Sequence, residues 1–280
     1  MEQSEGVTVT DSSSTPGQKS STIDTTVPQS ARIWNYWLGG KDNYPLDREV
    51  GDQFRKIFPD IIPVARASRA FIARSVQYLA GEAGIRQFLD IGTGLPSANN
   101  THAVLQRVAP NSRIVYVDND PLVLAHARAL LTSTPEGACQ HIDADLREPD
   151  TILHAAHQTL DFSQPVALTL NGILGHITDD AEAYAIVNRL MDALPSSSYL
   201  ALNDVTNVVH GKQFDEAMQI WNQAGSAPYR LRGIEQIARF FTGLELMEPG
   251  IVSCPRWRPE AHPFGVPAEV DTFGGVGRKP

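Results

Sequence analysis

Two glycines one residue apart follow an acidic residue in FLDIGTGLPS, residues 88–97. Asp90, Gly92, Thr93 and Gly94 stand where an apolar run gives way to a turn. Bare backbone at 92 and 94 permits a tight bend and lets a ligand approach main-chain amides that can donate to it. Asp118 closes the next apolar run, RIVYVDND, 24 residues beyond Gly94. A carboxylate at that place accepts hydrogen bonds from ribose hydroxyls, and Asn119 beside it is a further cofactor-side candidate. The competing role for Asp118 is to cap the helix that begins at Pro121, which Asn119 or Asp120 could do instead. Asp143 and Asp145 alternate with Ala144 in ACQHIDADL. Asp145 is the better placed to accept from an adenine 6-amino group, with Leu146 packing on the ring; a solvated strand end is the alternative.

The turn lacks the third glycine of the dinucleotide fingerprint GxGxxG, which serves close helix packing beside a pyrophosphate. Its place is taken by Ser97, after Pro96. Proline removes an amide donor and stiffens the turn. The pattern therefore suits a nucleoside without phosphate, and S-adenosyl-L-methionine, an adenosine bearing a sulfonium and an amino-acid tail, has that chemistry. Arg69, in ASRAF, could hold the tail's carboxylate by a two-pronged hydrogen bond; otherwise it is a surface cation beside Arg66 and Arg74. Methyl transfer is an in-line displacement with a neutral leaving group, so alignment matters most and a base is needed only if the acceptor sheds a proton. His176, just past a fourth apolar run, is the candidate base, its ordinary pKa being about 6.5; the alternative is a helix-entry histidine bonded to backbone. Asn171, ending that run, could touch the methionine part or a substrate amide. The glycines of GGKDNY suggest a lid in which Lys41, Asn43 and Tyr44 close over the cleft with Tyr36, though a buried turn fits equally. The histidines form no ligand-spaced set, and no metal is assigned.

These residues need elements to position them. Residues 1–28 are rich in Ser and Thr and poor in large apolar side chains, the composition of a disordered tail. Residues 29–86 carry three helical stripes: Ile33, Trp34, Trp37 and Leu38; Val50, Phe54, Ile57 and Phe58; and Val64, Phe71, Ile72, Val76 and Leu79. From residue 87 to 280, β-rich runs at 87–92, 113–120, 138–146, 165–174 and 198–206 alternate with helical segments, then LELMEPGIV and DTFGGVGRKP supply a sixth and a seventh strand. Such alternation implies a parallel sheet covered on both faces. A helical insertion is expected at about 207–228.

The chain has 280 residues, a net charge of −9 and a pI of about 5.3. That balance disfavours nucleic-acid binding. Cys139 and Cys254 lie in unrelated segments, which fits a reducing cytoplasm. No run of about 20 apolar residues is present for membrane crossing.

DIGTGLPSANNTH, VYVDNDPLVLAHARALL, ADLREP and RIWNYWLGGKDNY together resemble an actinobacterial family of S-adenosylmethionine-dependent methyltransferases, formerly classed as a domain of unknown function, over about residues 29–280. The resemblance implies a Rossmann-like class I methyltransferase fold: α/β, a seven-stranded, mostly parallel sheet with an antiparallel last strand, and extra N-terminal helices. It implies the cofactor and leaves the acceptor, expected to be a small molecule, unnamed. Fourth strands in such sequences end before LHH or LHF, whereas TLNGILGHI has Gly175 before His176. Two other functions compete: a cofactor-binding regulator without catalysis, and a nicotinamide-dependent oxidoreductase.

Overall fold

The computed structural model describes residues 23–96, 100–130, 132–224, 227–260 and 265–280. The tail expected over 1–28 lies mostly outside the described residues, as does Ser97. Residues 24–27 are held: the buried Arg32 guanidinium donates to the carbonyls of Asp24 (3.0 Å) and Val27 (2.8 Å).

Three helices come first, α1 (Ser30–Trp37), α2 (Pro45–Ile57) and α3 (Ile61–Gly81). Strands and helices then alternate: β1 (Gln87–Ile91), α4 (Thr101–Val108), β2 (Arg113–Asp118), α5 (Pro121–Leu130), β3 (Ala138–Asp143), α6 (Pro149–Ala156), β4 (Ala167–Asn171), α7 (Asp180–Asp192) and β5 (Tyr199–Val205). All residues of β1 and β5 are buried, as expected of central strands covered on both faces. β1 to β5 are parallel, in the order β3-β2-β1-β4-β5. The chain leaves β1 toward β2 on one side and returns through β4 on the other. That reversal creates a crevice beyond the carboxyl ends of β1 and β4.

After β5 come α8 (Lys212–Gln223), α9 (Ile234–Arg239), and the strands β6 (Glu245–Leu246), β7 (Val252–Ser253) and β8 (Thr272–Arg278). β8 runs antiparallel beside β5 and pairs on its other edge with both β6 and β7. The sheet thus has eight strands, not seven. The run expected as one sixth strand is split because Pro249 has no amide hydrogen for a ladder and Gly250 turns the chain at φ +85°. α8 closes a core with the N-terminal helices, in which Ile33, Trp37, Phe54, Phe58, Phe214 and Trp221 are buried together. No described helix is long and apolar enough to cross a membrane.

Beyond β4 a 3-10 turn, Leu174–His176, is stitched to residues 228–232. Arg230 N–H donates to the Gly175 carbonyl (2.8 Å), and buried Arg232 donates to the carbonyls of Leu174 (2.7 Å) and Ile177 (2.6 Å). The Tyr229 hydroxyl donates to Asp204 of β5, and its ring lies against Gly175, where a Cβ would fall 2.1 Å from the ring. The departure from LHH therefore makes room for a buried tyrosine. Gly175→Ala is expected to destabilise the protein by about 1–3 kcal/mol through overpacking. Gly233→Ala, where the nearest atom to a Cβ is 3.9 Å away, should cost less, about 0.5–1 kcal/mol from a poorer N-cap on α9; thermal melting of the two variants checks the contrast.

Candidate functional site

The crevice at the sheet's reversal is a cleft of about 450 Å³. Its floor is the turn after β1; its sides are the ends of β2 and β4 and the loop after β3. α1 roofs it with Ser30, Ala31, Trp34 and Asn35, followed by Leu38.

The turn after β1 carries both glycines. Gly92 has φ +76°, and a Cβ there would lie 2.6 Å from Ile173 of the segment after β4. Only glycine satisfies both the backbone and that approach. Thr93 Oγ1 donates to the Asp90 carbonyl at 3.3 Å, and Gly94 N–H donates to Asp118 Oδ2 at 2.9 Å. The other Asp118 oxygen accepts from Asp120 N–H at 3.0 Å. Burial raises the Asp118 carboxyl to about 6, against the lowering effect of these amides. Asp120 caps α5 by accepting from Leu122 N–H at 2.8 Å, while its Oδ2 is buried without a hydrogen-bond partner among the described residues. The cap is thus Asp120, which leaves Asp118 facing the cleft.

Asp90 is buried on β1. Thr101 Oγ1 donates to its Oδ2 (2.8 Å) and Thr169 Oγ1 to its Oδ1 (2.7 Å). Burial raises its pKa, opposed by these two hydroxyls and by Arg69. Arg69 reaches the cleft from α3 and donates to the Leu95 carbonyl at 3.2 Å. At the far side, Asn119 Nδ2 donates to Asp145 Oδ2 at 3.1 Å, and buried Leu146 lines the wall beside them. Asn171 Oδ1 accepts from Asn203 Nδ2 at 2.8 Å, and Asn203 Oδ1 accepts from Ser68 of α3 at 3.0 Å.

His176 also lines the cleft. Its Nδ1 lies 3.2 Å from the Pro228 carbonyl and its Nε2 3.2 Å from Ser30 Oγ. A carbonyl can only accept, so Nδ1 carries the hydrogen and Nε2 accepts from the serine hydroxyl. Burial pushes the imidazole down to about 4, so the ring is neutral near pH 7.

All the cofactor-side candidates, Arg69, Asp90, Gly92, Thr93, Gly94, Asp118, Asn119, Asp145, Leu146 and Asn171, line this one cleft together with His176. The four lid candidates do not. Tyr36 faces α2, donating to Asp52 at 2.8 Å, and Lys41 is exposed. Asn43 donates to Asn35 Oδ1 at 2.9 Å, and Tyr44 packs on Leu95, Leu122 and Val123 with the Arg32 guanidinium over its ring. From the same turn it is Gly39, Gly40 and Asp42 that reach the cleft. The sequence leaves the aromatics Trp34, Tyr36, Trp37, Trp221 and Tyr229 between an acceptor pocket and the core; of these Trp34 reaches the cleft. Sequence reasoning missed Asn35, Ser68, Asp120 and Arg147 as lining residues, and a face of α1 spaced 30, 31, 34, 35 and 38 was the available signal for the first. Arg147 pairs with Asp145 at 3.3 Å and donates to the His176 carbonyl at 2.8 Å, bridging two loops that the sequence separates.

The crystal structure of a DUF574-family protein from Streptomyces avermitilis is 44% identical; the match covers 92% of this chain and 100% of that one, with a TM-score of 0.89. A Thermobifida fusca protein proposed to be a methyltransferase is 38% identical over 92% of this chain and 97% of its own, with a TM-score of 0.83. No curated protein matches. The family model described as S-adenosyl methyltransferase matches residues 16–280. The chain belongs to the S-adenosyl methyltransferase family, and its cofactor is S-adenosyl-L-methionine.

Proposed function

We propose that this protein transfers a methyl group from S-adenosyl-L-methionine to a small-molecule acceptor bound in the same cleft. The observation that carries the proposal is the pair of acidic side chains after β2: the Asp118 carboxylate, aligned by the Gly94 and Asp120 amides, and the unpartnered buried Asp120 Oδ2. A buried acceptor without a donor is costly, and ribose hydroxyls supply donors of the right kind. No phosphate is needed to satisfy anything in the cleft.

The remaining roles follow from chemistry and position. Arg69 receives the cofactor's carboxylate, and Asp90, Thr93 and Gly92 shape the wall along its methionine part with Asn171. Asp145, oriented by Asn119 and Arg147, accepts from the adenine amino group, and Leu146 gives the ring an apolar face. The bound cofactor supplies a methyl group on a sulfonium; the acceptor's lone pair bonds to the methyl carbon as the carbon–sulfur bond breaks, leaving a neutral thioether. The protein aligns the two partners and excludes water beneath α1. Any proton leaving the acceptor goes to Nε2 of neutral His176 or to water. The loop Gly39–Asp42 acts as the lid, braced by Asn43, whose amide donates to Asn35 Oδ1 and to the Gly40 carbonyl.

One observation favours a second function. An imidazole lowered to about 4 is a weak base at pH 7, which suits an acceptor that needs no base or a regulator that binds the cofactor without turnover. Labelled-methyl transfer over a panel of metabolites separates these, and a His176→Gln variant with full turnover would remove the histidine from the chemistry.

Calorimetry should show binding of S-adenosylmethionine and S-adenosylhomocysteine and none of NAD; tight NAD binding would overturn the assignment. Asp118→Asn should weaken S-adenosylmethionine by about 10- to 100-fold, the loss of charge-assisted hydrogen bonds, with circular dichroism checking that the variant is folded. The raised pKa of Asp118 also sets a pH dependence. The ionised carboxylate is the form that accepts from ribose, so affinity should be level above pH 7 and fall as pH drops through about 6. The free protein behaves oppositely: the penalty for burying this charge is relieved as pH falls through the same value. Calorimetry from about pH 5 to about pH 8, on either side of the shifted carboxyl, checks this, and Asp118→Asn should flatten the profile.

A further inference from the structure

The charges that line the cleft are distributed unevenly. Asp145 pairs with Arg147 at 3.3 Å, and Asp42 lies 3.8 Å from His126 of α5. Asp90 is held by two threonine hydroxyls, and Asp118 by two amides. Arg69 and Asp120 face the cofactor in the function proposed above. The opposite wall, made by α1 and the segment at 227–228, presents Ser30, Ala31, Trp34, Leu38 and Pro228 to the cleft, none of them charged. Its polar focus is the Ser30 Oγ–His176 Nε2 pair, 3.2 Å apart.

We propose that the methyl acceptor is a small, uncharged molecule with an apolar or aromatic body, whose hydroxyl or N–H group takes the place of Ser30 as donor to His176 Nε2. The inference rests on the cofactor assignment above. A carboxylate, phosphate or ammonium pressed on the Ala31, Trp34, Leu38 and Pro228 face would be desolvated there, because the nearest cleft charges are already engaged, Arg147 by Asp145 and the His176 carbonyl and Asp42 by His126. A neutral hydroxyl needs only one acceptor there, and Nε2 is one. An aromatic body would find Trp34 and the proline as packing partners. Size follows from volume: pockets of about 300–1,000 Å³ commonly hold a single drug-sized ligand, and here about 450 Å³ must admit both cofactor and acceptor.

A matched-shape charge series tests this. The full chain is saturated with S-adenosylhomocysteine, whose binding is measured first by calorimetry. Binding of 4-methylphenol, 4-methylbenzoate and protonated 4-methylbenzylamine is then measured by saturation-transfer NMR titration. The neutral phenol should bind at least about tenfold more tightly than either charged relative, reflecting the cost of an unpaired buried charge. Trp34→Ala, with S-adenosylhomocysteine remeasured by calorimetry and kept saturating, should weaken the phenol at least about fivefold through loss of its aromatic packing partner, and an unchanged circular dichroism spectrum shows the variant to be folded. Equal or tighter binding of the benzoate or the ammonium, no binding of the phenol, or phenol binding indifferent to Trp34 would each overturn the proposal. Failure of S-adenosylhomocysteine to bind at the outset would instead remove the cofactor assignment, and this inference with it.

Discussion

A buried carboxylate on β1 sets the geometry on which the cleft depends. Asp90 accepts one hydroxyl from Thr169 on β4 and another from Thr101 on α4, and Arg69 from α3 offsets its charge. An ionised carboxylate in that position is tolerable only with such partners. The same bonds tie together the two strands that part company at the sheet's reversal. They hold the glycine turn against Ile173, and so keep the floor of the cleft at one height. The approach of 92 to 173, the outward orientation of Asp118 and the entry of Arg69 all presuppose this anchor.

The roof has a different physical origin. α1 and α2 pack with α8, an element more than 150 residues later in the chain. Trp37, Phe54, Phe214 and Trp221 form a ring cluster with centroid separations of 5.2–6.3 Å. That second core places α1 across the crevice, with Ile33 and Trp37 inward and Trp34 and Asn35 toward the cleft. Arg32 completes the arrangement from beneath. It lies 3.5 Å from Asp47, fully buried, and fastens residues 24–27 across the helix.

The β4 side is governed by the segment following α8. Tyr229 and Asp204 share a buried hydrogen bond, and burial raises both groups, Asp204 to about 6. The tyrosine ring fills the space that Gly175 leaves, and it stands edge-on to the His176 ring at 4.9 Å. The imidazole is therefore oriented by backbone and packing on one side and by Ser30 on the other. Its lowered basicity is the cost of this enclosure, which leaves the ring neutral near pH 7 with Nε2 facing the Ser30 hydroxyl.

The chain's own order of residues was sufficient for the alternation of strands and helices, because period and turn chemistry are local. It was sufficient also to bring the glycine turn, Asp118 and Asp145 to one cleft, because clefts in this kind of sheet form beyond the carboxyl ends of the strands. Local pattern did not reveal the eighth strand: Pro249 interrupts one apolar run, and only β8, presenting a long edge, shows that both fragments pair. Nor could it orient the helices. Tyr36, Lys41, Asn43 and Tyr44 lie close in sequence to residues that reach the cleft, yet Tyr36 is turned to α2 and Tyr44 to α5, Asn43 is bonded to Asn35, and Lys41 is exposed. Whether a side chain on α1 faces cleft or core was decided by α8, and the proton affinity of His176 by its burial, which lowers it against the raising effect of the Pro228 carbonyl, because burial and long-range contact are properties of the folded chain rather than of its local sequence.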